Sequence, residues 1–501
     1  METKPNQKSM NPTSTKAVVI IGAGPAGLTA AAELVKNGCQ VTVLEKDPDY
    51  VGGITRTVQY TGFRFDIGGH RFFSKNREIT AWWHERLPND FIEVRRLSRI
   101  YYRGVLFDYP LKALNALFGL GIWTSILCVL SYAKSHLAPI RPEKSFQDWV
   151  SNRFGKKLFQ IFFKTYTEKV WGMPCDQISA DWAAQRIKGL SLINAIWHAI
   201  VPHRKKSGAG VVKTLIDTFQ YPRLGPGQMW EKTRDDIVRA GGTVHMGEEV
   251  TALLWEDDRV TAAISRNANG ELRTVYADQF IVSMPLRECV MALSPAMPEQ
   301  TLHAADRLKY RDFITVALMI KGTNLFPDNW IYVHDPTVKL GRIQNFNNWS
   351  PEMVPGKDVT CLGLEYFCFE GDELWNQSDA DLLEFAKKEV VKLGFTQSDK
   401  IFDGCVVRMP KAYPIYGPTY NDDVQTIRCS ISQFSNLQVA GRNGMHKYNN
   451  QDHSMLTALM AARRINGGLL DPWKVNSDAE YHEEGKAASD NPKNRNGSEQ
   501  E

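Results

Sequence analysis

Six consecutive residues, Gly22-Ala23-Gly24-Pro25-Ala26-Gly27, space their glycines as G-x-G-x-x-G, and that spacing suits one kind of chemistry. The first glycine allows a tight turn, the second lets a pyrophosphate approach the backbone, and the third lets a helix pack closely. Glu45 follows about 20 residues on, where a carboxylate accepts hydrogen bonds from ribose hydroxyls. The glycines alone would also describe a turn with no ligand. Their surroundings favour the dinucleotide: a β-branched strand, Ala17 to Ile21, precedes them, an Ala/Leu-rich helix runs on to Asn37-Gly38, and a second strand spans Gln40 to Leu44.

Two glycine pairs come next, in Gly52-Gly53-Ile54-Thr55-Arg56-Thr57 and in Phe65-Asp66-Ile67-Gly68-Gly69-His70. Paired glycines let a backbone lie against a flat ring or a phosphate with no side chain between them. Each pair could be a tight turn, but behind a dinucleotide loop they point to FAD rather than NAD.

The elements that must hold these residues belong to a chain of 501 residues, too long for one simple core. Hydrophobic residues make up 43% and the formal charge is only +4, which argues for neither nucleic acid nor an acidic partner. The cysteines (Cys39, Cys128, Cys175, Cys289, Cys361, Cys368, Cys405, Cys429) form no C-x-x-C pair and no zinc spacing, so no metal is expected. They read as reduced thiols of a cytoplasmic protein, and Met1 to Thr15 lacks the apolar stretch of a signal peptide. Asn115 to Ala133 is uncharged and nears the length of a membrane span, yet polar and small residues interrupt it. Buried or membrane-surface helices are favoured over a span there, and residues 111–139 are the expected route for any peripheral attachment to the inner face of a membrane.

From Phe146 to about Ile200, aromatic and aliphatic residues recur at helical spacing, as in Phe154, Leu158, Phe162 and Phe163. Gly242 to Phe280 reads as short strands broken at Asn267-Ala268-Asn269-Gly270, ending in the apolar strand Phe280-Ile281-Val282. Phe313 to Ile320 and Val359 to Phe369 read as strands of a second sheet, followed by a helix from Asp379 to Lys392. Leu437 to Ala440 is again a strand, and a helix spans Ser454 to Ile465. The expected fold is α/β, with a discontinuous Rossmann-like FAD-binding domain over 16–75, 225–300 and 436–472. A helical cap domain over 76–224 and a mixed or antiparallel sheet domain over 301–435 would receive the substrate, with disordered ends at 1–15 and 474–501.

The GG-x-x-x-T segment and the strand-end Glu45 resemble the signature of the FAD-dependent amine oxidase and protoporphyrinogen oxidase superfamily. Within it the chain is most similar to the UDP-galactopyranose mutases, from Val18 to Ile465. Asp66 to His70 resembles the mutase loop whose histidine sits beside the isoalloxazine, and Val170-Trp171-Gly172-Met173-Pro174 with Trp182 and Arg186 matches in order and spacing. Trp330-Ile331-Tyr332, Arg342 and Asn345 to Pro351 resemble a strand pair that carries a tyrosine and an arginine toward a sugar-nucleotide diphosphate. Tyr413 to Thr419 is similar to a tyrosine-bearing loop, and Gly441 to Tyr448 with Asn450 to Ser454 to the closing flavin segment.

The resemblance implies cofactor contacts from Gly22, Gly24, Ala26, Gly27, Glu45, Lys46, Gly53, Ile54, Thr55, Gly69, His70, Val250, Gly441, Arg442, Asn450, Gln451 and Ser454. It implies substrate contacts from Trp171, Arg186, Tyr332, Arg342, Asn345, Tyr416 and Tyr448, with His70, Arg186 and Arg342 as the catalytic set. Two arginines suit a diphosphate, which they can meet bidentately; each could instead sit in an ordinary salt bridge, His70 could be a core histidine and Trp171 a packing anchor.

The implied reaction is exchange of pyranose and furanose rings, in which N5 of reduced FAD attacks the anomeric carbon and the diphosphate leaves and returns. NAD(P)H is the expected external reductant and a nucleotide sugar the expected substrate. The alternative within the same superfamily is an oxidoreductase of protoporphyrinogen oxidase, desaturase or amine oxidase type. The likeness is greatest to mutases of the eukaryotic type, but no counterpart is evident in Lys205 to Trp230 for the asparagine-bearing loop those mutases have before the glycine-rich turn, and the insertion Leu111 to Pro142 has no match either, which bears on the base and sugar recognised.

Overall fold

The computed structural model describes residues 15–180 and 217–476; of the ends expected to be disordered, 1–14 and 477–501 lie outside the described residues, whereas Lys474 to Asn476 are placed, with Val475 buried and its carbonyl accepting from Lys447 Nζ at 2.6 Å. The strand Ala17–Ile21 alternates its side chains between two cores, as a sheet covered on both faces requires. Val18 and Ile20 pack with Leu28, Trp230 and Leu459, from the helices Pro25–Lys36, Gly227–Arg239 and Gln451–Ile465. Val19 and Ile21 pack on the other face with Leu253, Leu286 and Leu437.

This strand is the centre of a five-stranded parallel sheet, in the order Leu437–Val439, Gln279–Val282, Ala17–Ile21, Gln40–Leu44, Thr243–His245. The chain goes to one side of Ala17–Ile21 for its second strand and returns to the other side only near residue 280. The loop Gly22–Gly24 therefore opens at the point where strand order reverses, which is where open α/β sheets bind ligands.

A seven-stranded sheet lies beyond it, in the order Ile401–Pro414, Tyr310–Lys321, Val359–Cys368, Arg342–Asn345, Trp330–Val333, Ser98–Tyr102, Val105–Asp108. Tyr310–Lys321 is buried along almost its whole length because both faces are covered. Ile314, Val316, Leu318 and Ile320 lie under the helix Asp379–Lys392 through Leu382, Ala386 and Val390, while Phe313, Ala317 and Met319 pack with Phe65 and Ile67. The second face thus meets the segment leading into Gly68-Gly69-His70.

The stretch 76–224, expected to be helical, opens with the helix Arg77–Arg86 but then carries strands. Phe91–Arg95 pairs with Thr218–Pro222, and Ser98–Tyr102 runs parallel to Trp330–Val333 and so extends the seven-stranded sheet. The cause is local: Ser98-Arg99-Ile100-Tyr101-Tyr102 favours a pleated surface, and Arg103-Gly104, both at positive φ, close a two-residue hairpin onto Val105–Asp108. Helices take over at Ala113–Leu120, Ile122–Leu137, Phe146–Phe154 and Thr165–Trp171. Among the described residues no helix is long and apolar enough to cross a membrane, and the eight cysteines form no disulfide.

Removing side-chain volume from the doubly covered strand should cost more than removing it from the surface. Leu318→Ala is expected to lower unfolding free energy by about 2–5 kcal/mol, against a change within about 0.5 kcal/mol for the exposed Leu272→Ala, both read from urea denaturation.

Candidate functional site

The glycine loop is held by its own backbone. Gly22 N–H donates to Leu44 O at 2.8 Å, and Gly52 N–H donates to Ala23 O at 2.8 Å, which lays the first glycine pair against the loop. A Cβ on Gly27 would come 1.8 Å from Gly22 O, so the helix Pro25–Lys36 can begin here only with glycine at that position. Gly24, by contrast, faces open space, with nothing within 4 Å of a Cβ built there, and no side chain caps the helix that starts behind it. An uncapped helix N-terminus with room in front of it suits a phosphate. The Glu45 carboxylate accepts from Ala23 N–H at 2.6 Å and from Asp47 N–H at 2.9 Å, and burial pushes its pKa up despite those two bonds.

Distant segments close around this loop. A Cβ on Gly53 would lie 3.6 Å from Gly24 Cα, and Ile54 and Thr55 complete the short turn in which Thr55 Oγ1 donates to Gly52 O at 2.7 Å. From the other end of the chain, a Cβ on Gly441 would come 2.8 Å from Ala26 Cβ, and Gly441 N–H donates to Thr457 Oγ1 at 2.9 Å. Asn450 stands at the N-terminus of the helix Gln451–Ile465, where Ser454 is buried in the first turn. Gln451 Nε2 donates to Arg71 O at 2.8 Å and so ties this helix to the residue after His70.

The ring side is built on one face of the seven-stranded sheet. Arg342 and Glu365 lie opposite each other on adjacent strands, with Arg342 Nε donating to Glu365 Oε2 at 2.7 Å and Gln344 Nε2 donating to Glu365 Oε1 at 2.9 Å. Burial alone would lower the Arg342 pKa, but Glu365 and the nearby tyrosines hold it well above its ordinary value. A Cβ on Gly68 would lie 3.6 Å from the Arg342 guanidinium and 3.6 Å from the His70 ring, and one on Gly69 would lie 3.0 Å from Gln344 Nε2. Burial, then the cations Arg442 and Arg342, push the His70 pKa down to about 3, so the imidazole is neutral, and its buried Nδ1 has no partner. Asp66 anchors the segment from beneath, accepting from Tyr221 Oη and from Thr57 Oγ1 at 2.9 Å.

Aromatic rings and further arginines frame that face. Arg442 donates to Asn449 O at 2.8 Å and Ala412 O at 3.2 Å, with its guanidinium 4.9 Å from the Tyr448 ring and 5.5 Å from the Tyr413 ring. Those two rings stack at 5.6 Å, and Tyr448 N–H donates to Tyr416 Oη at 2.7 Å. Trp171 is buried in a cluster against which Tyr448 packs. Tyr332, paired in register with Arg342, meets Tyr109 at 5.1 Å and Tyr166 at 5.4 Å. Arg71 and Arg96 lie 5.2 and 5.5 Å from the Trp330 ring, and Arg96 also lies 5.5 Å from Tyr109.

Arg186 and Trp182 lie outside the described residues. Asn345 is not brought to the site: three residues after Arg342 on the same strand, it points to the opposite face and donates to Phe326 O at 3.2 Å. Lys46 is exposed, and Val250 sits on the strand Glu249–Glu256, packed against the core behind the five-stranded sheet. Sequence reasoning passed over Gln344, Glu365, Tyr166, Arg71 and Arg96, and gave Tyr413 no role beyond opening a tyrosine-bearing loop. Glu365 left a trace, as the one charge inside the apolar strand Val359–Cys368. Among the described residues no cluster of acids, histidines and cysteines could hold a metal ion.

Open space at an uncapped helix N-terminus, an acid at the end of the second strand and an orphaned buried imidazole nitrogen at the second glycine pair fit FAD, with pyrophosphate at the first and ring at the last. The fold and these loops thus define a dinucleotide-binding flavoenzyme. The chain belongs to the flavin containing amine oxidoreductase family, whose profile matches residues 25–466. It is 26% identical over 172 residues to a probable UDP-galactopyranose mutase of Klebsiella pneumoniae, covering 33% of this chain and 44% of that one. It is 49% identical over 101 residues to a 1-hydroxycarotenoid 3,4-desaturase of Flavobacterium sp. (strain P99-3), covering 19% and 20%. The chain therefore spans less than half the length of either relative. A crystal structure of reduced UDP-galactopyranose mutase shares the fold with a TM-score of 0.77 at 23% identity, over 92% of this chain and 98% of that one.

Two expectations follow from the geometry. Burial raises the Asp66 pKa in the folded chain to about 7, above the unfolded value of about 3.9. Its contribution to stability is therefore full below about pH 4 and is lost as the pH rises to about 7. Asp66→Asn should flatten the fall in denaturation midpoint across that window; an unchanged slope would assign the titration to another group. Glu365→Gln leaves Arg342 buried without its counter-charge and should cost about 3–5 kcal/mol, whereas the double variant with Arg342→Met should cost less than the two singles added, as a denaturation cycle would read.

Proposed function

We propose that this flavoenzyme is a sugar-nucleotide mutase that exchanges pyranose and furanose rings, with NAD(P)H as its external reductant. The observation that carries the reading is the charge of the ring side. Arg96 and Arg442 have no carboxylate partner among the described residues, while the carboxylate of Glu365 is already paired with Arg342. A site of that sign attracts a diphosphate and repels the ammonium of an amine substrate. The shared fold with reduced UDP-galactopyranose mutase, over nearly the whole of both chains, supports the same reading.

Reduced FAD, when bound, supplies an electron-rich ring nitrogen for the anomeric carbon. The residues that would hold it are the glycine loop, Glu45, the Gly53–Thr55 turn, Gly69, His70, Gly441, Arg442 and the helix that begins after Asn450. Arg96 and Arg71, braced on Trp330 and Tyr109, would take the diphosphate oxygens, with Arg186 as a further partner and Tyr332 as a hydroxyl donor. Burial raises the pKa of Tyr166 and Tyr413, so both keep their hydroxyl protons and can donate throughout the neutral range. Holding the diphosphate in place while its bond to the sugar is broken and remade returns an isomer of the same mass. Arg342 acts here through its pair with Glu365, which fixes the wall against which Gly68 and His70 lie.

A second reading, an FAD-dependent oxidoreductase of desaturase, protoporphyrinogen oxidase or amine oxidase type, is favoured by the identity to the carotenoid desaturase. Dithionite-reduced enzyme incubated with UDP-galactose and other sugar nucleotides should yield an isomer of unchanged mass. Oxygen-dependent product from a polyene, porphyrinogen or amine, with no isomer under reducing conditions, would establish the second reading instead. Arg96→Ala should raise KM for the sugar nucleotide about tenfold or more with flavin content intact.

A further inference from the structure

More than half of the exposed large hydrophobic side chains among the described residues lie in one place, between Leu117 and Ile140. They belong to a helical hairpin, Ala113–Leu120 and Ile122–Leu137, joined at Gly121. Its inner face is packed: Ser125 and Cys128 are buried, Cys128 and Leu120 join a cluster with Phe107 and Phe162, and Ser125 Oγ donates to Leu117 O at 3.1 Å. Its outer face carries Ile122, Trp123, Ile126, Leu127 and Leu130 at helical spacing, with Phe118 on the first helix and Leu137 at the far end. Phe118 is 84% and Trp123 81% exposed, which is not how a soluble surface treats its largest apolar side chains.

The unpaired charge on this face is of one sign. No aspartate or glutamate occurs from Tyr109 to Pro142, a stretch that includes Lys112, Lys134 and Arg141. Lys156 and Lys157 join them from the short helix Lys156–Phe159, since Lys157 N–H donates to Ser131 Oγ at 3.0 Å. Lys112 pairs with Asp108; Lys134, Arg141, Lys156 and Lys157 have no carboxylate partner among the described residues. A second copy of the chain seated on this face by two-fold symmetry would bring these unpaired cations together, since the neighbouring acids Asp108 and Glu143 are already held by Lys112 and Arg153. An anionic bilayer meets both features, taking tryptophan and phenylalanine at headgroup depth and lysines at its charged surface. A helix of 16 residues with one packed face is too short to span the hydrocarbon, so it would lie along the surface.

We propose that the outer face of this hairpin docks the protein on the surface of an anionic phospholipid bilayer. The docked face then lies one packed layer from the site, because the cluster beneath the hairpin also receives Tyr109 and Tyr332.

The test is flotation of the FAD-loaded full-length protein with phosphatidylcholine vesicles, with and without phosphatidylglycerol. Binding should appear with phosphatidylglycerol and weaken in high salt. Lys134→Ala should lower the partition coefficient about fivefold, and the triple variant Phe118→Ser, Trp123→Ser, Leu127→Ser should abolish binding with the bound-flavin absorbance unchanged. No flotation with either vesicle overturns the proposal. So does a dimer in sedimentation velocity that the triple variant makes monomeric, since a second copy would then be the occupant.

Discussion

An arginine and a glutamate buried side by side on a sheet are tolerable only if each neutralises the other, and that requirement organises the ring side of this molecule. Arg342 and Glu365 face each other across an antiparallel pair. A slip of one residue would turn Glu365 to the face occupied by Leu364 and Tyr366, among the packed side chains under the helix Asp379–Lys392. The ion pair therefore fixes register as well as charge. It also sets what can stand opposite it. Burial disfavours a proton on His70, which would also be a third cation beside Arg442 and Arg342, so it stays neutral and can act only as a hydrogen-bonding group.

The parts of the fold that the sequence made legible are those whose chemistry is local. The glycine loop, the two flanking strands and Glu45 sit within a short stretch, and each glycine has a steric reason that the structure bears out at Gly27. The helix Asp379–Lys392 was readable to its ends because Ser378 caps it and acids open its first turn. What was not legible depends on pairing across distance. Glu365 matters because a strand 23 residues away in sequence carries its partner, and Arg71 and Arg96 because Trp330 brings them together. Asn345 was grouped with Arg342 by nearness in sequence, but the two-residue period of a strand places it on the other face. The strands from Phe91 to Asp108 were absorbed into a helical segment because their partners, Thr218–Pro222 and Trp330–Val333, come much later in the chain.

The two sheets divide the work. The parallel one offers helix N-termini and bare backbone, which suits phosphate groups and tolerates little variation in side-chain size. The larger, mostly antiparallel one offers side chains from alternate positions of several strands, so its face can change character through single substitutions without disturbing the fold. Arginines and tyrosines dominate that face here, whereas proteins that share stretches of sequence with this chain carry names as different as hydroxycarotenoid desaturase and UDP-galactopyranose mutase. Family membership therefore says much about where the cofactor lies and little about what is placed against it.

Residues far apart in sequence meet where Gly441 comes up against Ala26, and the middle of the chain reaches them through the strand Gln279–Val282 and the helix Gly227–Arg239. During synthesis the loop after Ala17–Ile21 exists long before the residues that wall it in. A nascent polypeptide halted before residue 437 would have a phosphate cradle but neither Gly441 nor the helix Gln451–Ile465 to close it. The cradle is thus complete only once residues 441–465 have been made.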